Sequence, residues 1–302
     1  MPASVSPASQ PRGWRLWWLA ARPRTLPLAA APVLAGTTLA WSEGAPFRWP
    51  VALAALACAL LIQVGTNLHN DAADCESGND GAERLGPVRV TAAGWAAPRQ
   101  VRGAALIAFL SALALGAYLV AVGGLSILAI GLGSLLAGWA YSGGPRPISH
   151  TPFGEGFVWV FFGLVAVAGS HYLQSGGVTP SALLAGALLG LPAAAVLMVN
   201  NTRDRVGDTA AGRRTLAAVL GRGDATRAYA GMMLAPFALA PAFLFTQPRH
   251  PGVLLVWLAL PRCLALVRAI AREEGAALNA VLAGTARAGF LCALLISVGA
   301  LL

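Results

Sequence analysis

The chain has 302 residues, of which 57% are hydrophobic and only 11% charged, against roughly 25% charged in an ordinary soluble domain. That composition excludes a water-soluble globular fold. Its net charge of +9 comes from arginine alone, with no lysine anywhere, and the arginine pattern described below marks membrane topology, not a nucleic-acid surface.

In chain order, residues 1–12 are Pro/Ser/Ala-rich and read as a disordered tail, with a single membrane domain over 13–302. Trp14, Trp17 and Trp18, with Arg15, Arg22 and Arg24, read as an interfacial belt. Nine apolar runs follow, at 25–41, 50–68, 102–122, 124–141, 155–173, 181–200, 229–245, 252–270 and 282–302, each close to the length that spans a bilayer. The expected fold class is therefore an all-α, polytopic membrane protein of nine transmembrane helices. Gly123-Gly124 suffices to turn one pair. The eighth run holds Pro261 and Arg262 and should kink or bury the arginine. Long loops are expected at 71–101 and 204–226. Cys58, Cys75, Cys263 and Cys292 have no zinc spacing and read as packing residues.

Nine crossings put Arg12 to Arg24, Arg84 to Arg102, Arg146, Arg203 to Arg227, Arg268 and Arg272 on one side, and only Arg48 and Arg249 on the other. The positive-inside rule makes the rich side, with the N-terminus, cytoplasmic and the C-terminus external.

The aspartates carry the functional signal. Five of the six, Asp71, Asp74, Asp80, Asp204 and Asp208, lie in or just beyond two stretches that end apolar runs. A carboxylate at the bilayer centre costs about 2.5–3.5 kcal/mol, less near the interface, so paired acids there need a cation. On a helix Asn67, Asp71 and Asp74 fall at i, i+4 and i+7, and Asn200, Asp204 and Asp208 at i, i+4 and i+8, each set on one face. Magnesium takes one or two carboxylates and completes its octahedron with water and phosphate oxygens. Two such clusters facing each other suit a diphosphate bridged by Mg²⁺, with Arg203, Arg213 and Arg214 as phosphate partners. The clusters also form a loose repeat, four runs apart, each followed by a basic loop containing threonine. Tyr141 and Arg146 flank a Gly/Pro turn on the same side, and Glu155 reads as charge complementarity at a helix start. Nothing matches a catalytic triad, a P-loop or a dinucleotide fingerprint.

With these motifs in order, the chain resembles the UbiA superfamily of intramembrane prenyltransferases, and within it the 1,4-dihydroxy-2-naphthoate branch of the menaquinone pathway. The likeness runs through residues 21–27, 67–80, 84–89, 141–145, 161–163, 200–204, 211–216, 278–279 and 284–286. It implies nine helices around a central cavity, with Mg²⁺ and a polyprenyl diphosphate at the cytoplasmic mouth. It carries the first motif onto Asn67, Asn70, Asp71 and Asp74, with Asn67, Asp71, Asp74, Asp204 and Asp208 as the metal set. The second motif falls on Asn201, Asp204 and Asp208. Asp80, Arg89, Tyr141, Arg146, Asn200, Arg203, Arg213 and Arg214 become substrate contacts. Ala72 stands where an aromatic residue is usual, Ser77 and Arg213 where lysines are usual, and Asp80 follows the naphthoate pattern.

The implied reaction is ionisation of the allylic diphosphate, attack by the naphthoate at its carboxylate-bearing carbon, and loss of CO₂ and diphosphate to give a demethylmenaquinone in the bacterial inner membrane. The expected partners are the two substrates and membrane lipid, with no nucleic acid. Another aromatic acceptor, such as 4-hydroxybenzoate, haem or a chlorin, is the nearest alternative. A cation-coupled transporter fits less well, because its acids would lie near the midplane and not at span ends.

Overall fold

The computed structural model describes residues 11–76, 85–247 and 249–302; the tail expected over most of 1–12 and Asp80 lie outside them. The described residues are helical and contain no strand. The helices are α1 (Trp14–Ala20), α2 (Leu26–Ser42), α3 (Trp49–Glu76) and α4 (Pro98–Ser142), followed by α5 (Gly154–Ser175) and α6 (Pro180–Ala210). After them come α7 (Leu216–Thr246), α8 (Pro251–Arg272) and α9 (Gly275–Ala300). Seven of these, α3 to α9, are long and apolar enough to cross a membrane, which makes this an integral membrane protein. α2 is apolar but has 17 residues. The 45-residue α4 contains both expected runs and breaks at Gly124, whose φ of 67° and ψ of −156° leave the helical region and suit a residue without Cβ.

Two expected boundaries shift. The loop expected over 204–226 is mostly helix, because α6 continues to Ala210 and α7 begins at Leu216, where the Thr215 hydroxyl accepts from the Ala218 N–H at 3.3 Å. Polar side chains do not end these helices, since the backbone stays internally bonded while the side chains face a cavity or water. At the eighth run the helix is tight and 3₁₀-like over Pro251–Ala259 and α-helical from Leu260. The change coincides with Pro261, and Arg262 stays exposed.

α6 is the central helix: 72% of its apolar window is buried, against 22% for α4 at the periphery. α6 packs against α5, α7 and α9, α2 lies against α3, α5 and α9, and α3 pairs along α4. Glycine allows the tightest crossing. A Cβ on Gly163 of α5 would lie 2.4 Å from the Gly186 carbonyl oxygen of α6. Small residues at such crossings give van der Waals contact where lipid supplies no hydrophobic drive. Farther along the bundle the buried Tyr229 hydroxyl meets the Thr285 hydroxyl at 2.7 Å, which satisfies a polar tip inside the core.

Candidate functional site

α3 runs beyond its apolar segment, so its last turns carry the first motif to the cavity mouth. Asn67 donates from Nδ2 to the Ala21 carbonyl at 2.9 Å and to the Thr25 hydroxyl at 3.2 Å, and its Oδ1 accepts from Gln63 Nε2 at 3.3 Å. These bonds pin the turn at Arg22, the single non-glycine with positive φ among the described residues, at 55°. That conformation is unusual for a side chain of this size, and it places Arg22 in the cavity wall.

Asp71 and Asp74 part company. Asp71 is buried and accepts from the backbone N–H groups of Val90 and Thr91, both at 3.2 Å, and from the Thr91 hydroxyl. Its carboxylate is an anchor for the 85–97 loop and does not line the cavity. Asp74 does. Arg89 grips one of its oxygens and Arg213 reaches the other at 3.2 Å, while Arg89 also donates to the Asn70 carbonyl at 3.0 Å. The Asn70 side-chain oxygen is buried with no hydrogen-bond partner among the described residues.

On α6, Arg203 is buried. It donates to Asp204 Oδ1 and Oδ2 at 2.8 and 2.6 Å, to Asn200 Oδ1 at 2.9 Å and to Asn279 Oδ1 at 2.6 Å. Asn279 in turn donates to the Leu85 carbonyl at 2.8 Å, so α9, α6 and the 85–97 loop are tied around one guanidinium. One turn deeper, Asn201 donates to the buried Glu155 at 2.9 Å. Asp208 receives Arg213 at 3.3 Å.

Arg213 thus bridges the two acid clusters, 139 residues apart in sequence from Asp74. The Arg214 N–H donates to the His150 carbonyl at 3.0 Å, fixing the short link that carries Arg213. Burial, and then the Arg213 charge, hold the His150 imidazole below its ordinary range, so it adds no positive charge to the mouth at neutral pH. Below the mouth is a cavity of about 320 Å³. Its wall includes Tyr141, Phe157 and Phe161, with ring centroids 6.4 Å apart for Tyr141–Phe157 and 4.6 Å for Phe157–Phe161. An apolar chamber between α3, α4 and α5 continues from it, sharing Ile62, Ser134, Phe161 and Ala166.

Ten sequence candidates line this one cavity: Asn67, Asn70, Asp74, Arg89, Tyr141, Asn200, Asn201, Asp204, Asp208 and Arg213. Asp71 and Arg203 stand behind the lining as anchors. Arg146 and Arg214 are exposed and do not line it. Sequence reasoning missed Arg22, Gln63 and Phe157 as lining residues, and the support given by Glu155. A buried acid starting an otherwise apolar helix was the available signal for Glu155.

Among the described residues no three His, Cys, Asp or Glu side chains converge closely enough to cage a metal alone, because Arg213 stands between Asp74 and Asp208. What remains is a set of hard oxygens, from Asp74, Asp204, Asp208 and the Asn70 amide, whose oxygen has no partner among the described residues. That set fits Mg²⁺, which uses few protein carboxylates and takes its other ligands from water and phosphate.

The sequence profile described as the UbiA prenyltransferase family matches residues 29–300. The chain is 35% identical to the 1,4-dihydroxy-2-naphthoate octaprenyltransferase of Escherichia coli K12, covering 94% of each chain. It is 37% identical to the protein of the same name from Mycobacterium tuberculosis H37Rv, over 77% of this chain and 79% of that one. Among solved structures, a UbiA homolog from Archaeoglobus fulgidus superposes with a TM-score of 0.67 at 15% identity, covering 94% of this chain and 99% of that one. The same homolog bound to DMAPP and Mg²⁺ superposes at 0.60 and 18% identity, over 91% and 98%.

Proposed function

The chain belongs to the UbiA prenyltransferase family, and from that premise we propose that it transfers a polyprenyl group from polyprenyl diphosphate to 1,4-dihydroxy-2-naphthoate, with loss of diphosphate and CO₂. The observation that carries this reading is Arg213, which joins the acid clusters of α3 and α6 at the mouth of a cavity with an aromatic wall. The names of the bacterial relatives support the naphthoate acceptor.

Arg213, Arg89 and Arg22 face the place where an anionic diphosphate enters, and guanidinium groups bind phosphate oxygens through paired N–H bonds. Asp74, Asp204 and Asp208, with the Asn70 amide oxygen, would hold Mg²⁺, which supplies Lewis-acid charge to the leaving group. As the allylic C–O bond breaks, its electron pair leaves with the diphosphate. The aromatic wall flanks the resulting cation, which ring faces stabilise, and the apolar cavity keeps water from quenching it. The carboxylate-bearing ring carbon forms the new C–C bond, and the electron pair of the departing carboxylate restores aromaticity. This balance delivers a hydroquinone; the demethylmenaquinone is two electrons further oxidised.

The same reading counts α2 as one crossing and α4 as two, split at Gly124, for nine in all. The acid mouth then faces the cytoplasm of a bacterial inner membrane, as arginine placement supports.

The test is incubation of membranes carrying the protein with labelled prenyl diphosphate and the naphthoate. Label should pass to a lipid-soluble naphthol, and should stop on EDTA addition or in Asp204→Asn. Transfer untouched by both would sink the reading.

A further inference from the structure

Asn201 lines the cavity, and its side-chain amide is committed in one direction. Nδ2 donates at 2.9 Å to Oε1 of Glu155 on the first turn of α5, and both residues are buried. Nδ2 is the donor of that contact and Oε1 accepts it, so the pair sets which end of the amide faces Glu155. Asn201 Oδ1 takes no partner among the described residues. The second Glu155 oxygen, Oε2, is buried without one, and a buried polar atom left unsatisfied calls for an explanation.

The depth of the pair is informative. Asn201 precedes Asp204 by three residues and Asp208 by seven on the same helix, which sets it about 4.5 Å and about 10 Å deeper along the axis. A diphosphate gripped at the level of the aspartates places its allylic carbon, and any ring attacking that carbon, below them. Phe157 follows Glu155 by two residues, and Tyr141 packs against Phe157. A flat aromatic substrate thus has a wall of rings beside Asn201.

We propose that Asn201, oriented by Glu155, recognises a ring hydroxyl of the aromatic acceptor through its amide oxygen, with Glu155 as its positioning residue. The proposal rests on the prenyl-transfer reading and adds to it the group that reads the acceptor. Diphosphate oxygens only accept hydrogen bonds, so they cannot satisfy the amide oxygen, which needs a donor. A phenolic hydroxyl donates and matches the free end. A site built to bond a hydroxyl rejects the analogue that lacks the donor.

The experiment compares the dihydroxynaphthoate with its mono-O-methyl ethers, which keep ring and carboxylate but lose one donor. Affinity is read as inhibition of turnover for the ethers and as KM for the parent. In the wild type one ether should bind roughly tenfold more weakly than the parent, the scale of a single hydrogen bond. Asn201→Ala should erase that gap by weakening the parent alone, leaving the KM for prenyl diphosphate and the Mg²⁺ requirement within about twofold. Glu155→Leu, which cannot hold the amide, should act as Asn201→Ala does. Glu155→Gln keeps an acceptor for Nδ2 and should retain most of the gap, so the test survives if the leucine variant misfolds. A gap unchanged in Asn201→Ala overturns the proposal, as does a shift in prenyl diphosphate KM or Mg²⁺ requirement in its place. Failure of the wild type to prenylate the naphthoate would instead overturn the functional reading beneath it.

Discussion

Asp71 separates two kinds of acid in the first motif, and Asp71→Asn tests the separation. Its carboxylate accepts from Val90 N, Thr91 N and the Thr91 hydroxyl in a buried pocket. Asparagine keeps one accepting oxygen and turns an N–H₂ group toward a backbone N–H. One charge-assisted bond is then replaced by opposed donors and the others lose their charge. Hydrogen bonds to charged groups contribute about 1.5–3 kcal/mol each, so the variant should lose about 2–4 kcal/mol, confined to the 85–97 loop. Because that loop carries Arg89, which grips Asp74, the apparent KM for prenyl diphosphate should rise by at least about tenfold. The assay pairs steady-state kinetics with thermal unfolding of the detergent-solubilised protein. Thr91→Val removes part of the same anchor without touching a carboxylate. It should reproduce part of both effects, and the double variant should be less than additive, because the two groups share one contact. A silent Thr91→Val beside an Asp71→Asn that is dead but fully stable would refute the anchor and return Asp71 to direct metal binding.

Three further outcomes follow from single contacts. Arg213→Ala removes the bridge between Asp74 and Asp208 and should raise the KM for prenyl diphosphate by about 10- to 100-fold; initial-rate kinetics in which only the acceptor KM moves would assign the residue to the wrong substrate. Gly163→Ala forces a Cβ against the Gly186 carbonyl at 2.4 Å and should cut the yield of folded protein, whereas Gly156→Ala meets nothing within 4 Å and should be neutral, both read by size-exclusion profile. Glu43, just past the end of α2, is pushed up by burial, but bonds from His171, Ser181 and Thr179 and the His171 charge outweigh that and hold it below the usual carboxylate range. A depressed folded pKa stabilises above the unfolded value of about 4.3 and is lost as pH falls through the folded one. Glu43→Gln should therefore lower the melting temperature at pH 7 by an amount that shrinks as pH falls through the folded Glu43 pKa, and a loss that stays constant with pH would remove the ionic contribution.

Much of the site was legible because lipid makes polar residues conspicuous. Asp74, Asp204 and Asp208 stood out as acids ending apolar runs, and their helical spacing gave the shared face that the cavity now uses. The spacing could not separate Asp71 from Asp74, since that depends on how the loop bearing Val90 and Thr91 folds back. Arg203 and Arg213 read alike as phosphate partners, yet one is buried in a scaffold with Asn279 and the other spans the cavity. That difference is set by α9, 76 residues from Arg203. Glu155 read as a helix-start charge because its partner, Asn201, lies on another helix. The apolar runs coincide with helices, seven of them long and apolar enough to cross a membrane, but the polar sequence after the second motif suggests a long loop where α6 in fact continues to Ala210.

Carboxyl-labelled 1,4-dihydroxy-2-naphthoate tests the central claim most directly. Incubated with the protein, Mg²⁺ and an unlabelled polyprenyl diphosphate, it should release its label as CO₂ in step with the formation of an unlabelled prenylated naphthohydroquinone. A prenylated product that keeps the carboxyl label, or no product from this acid, would contradict decarboxylative transfer.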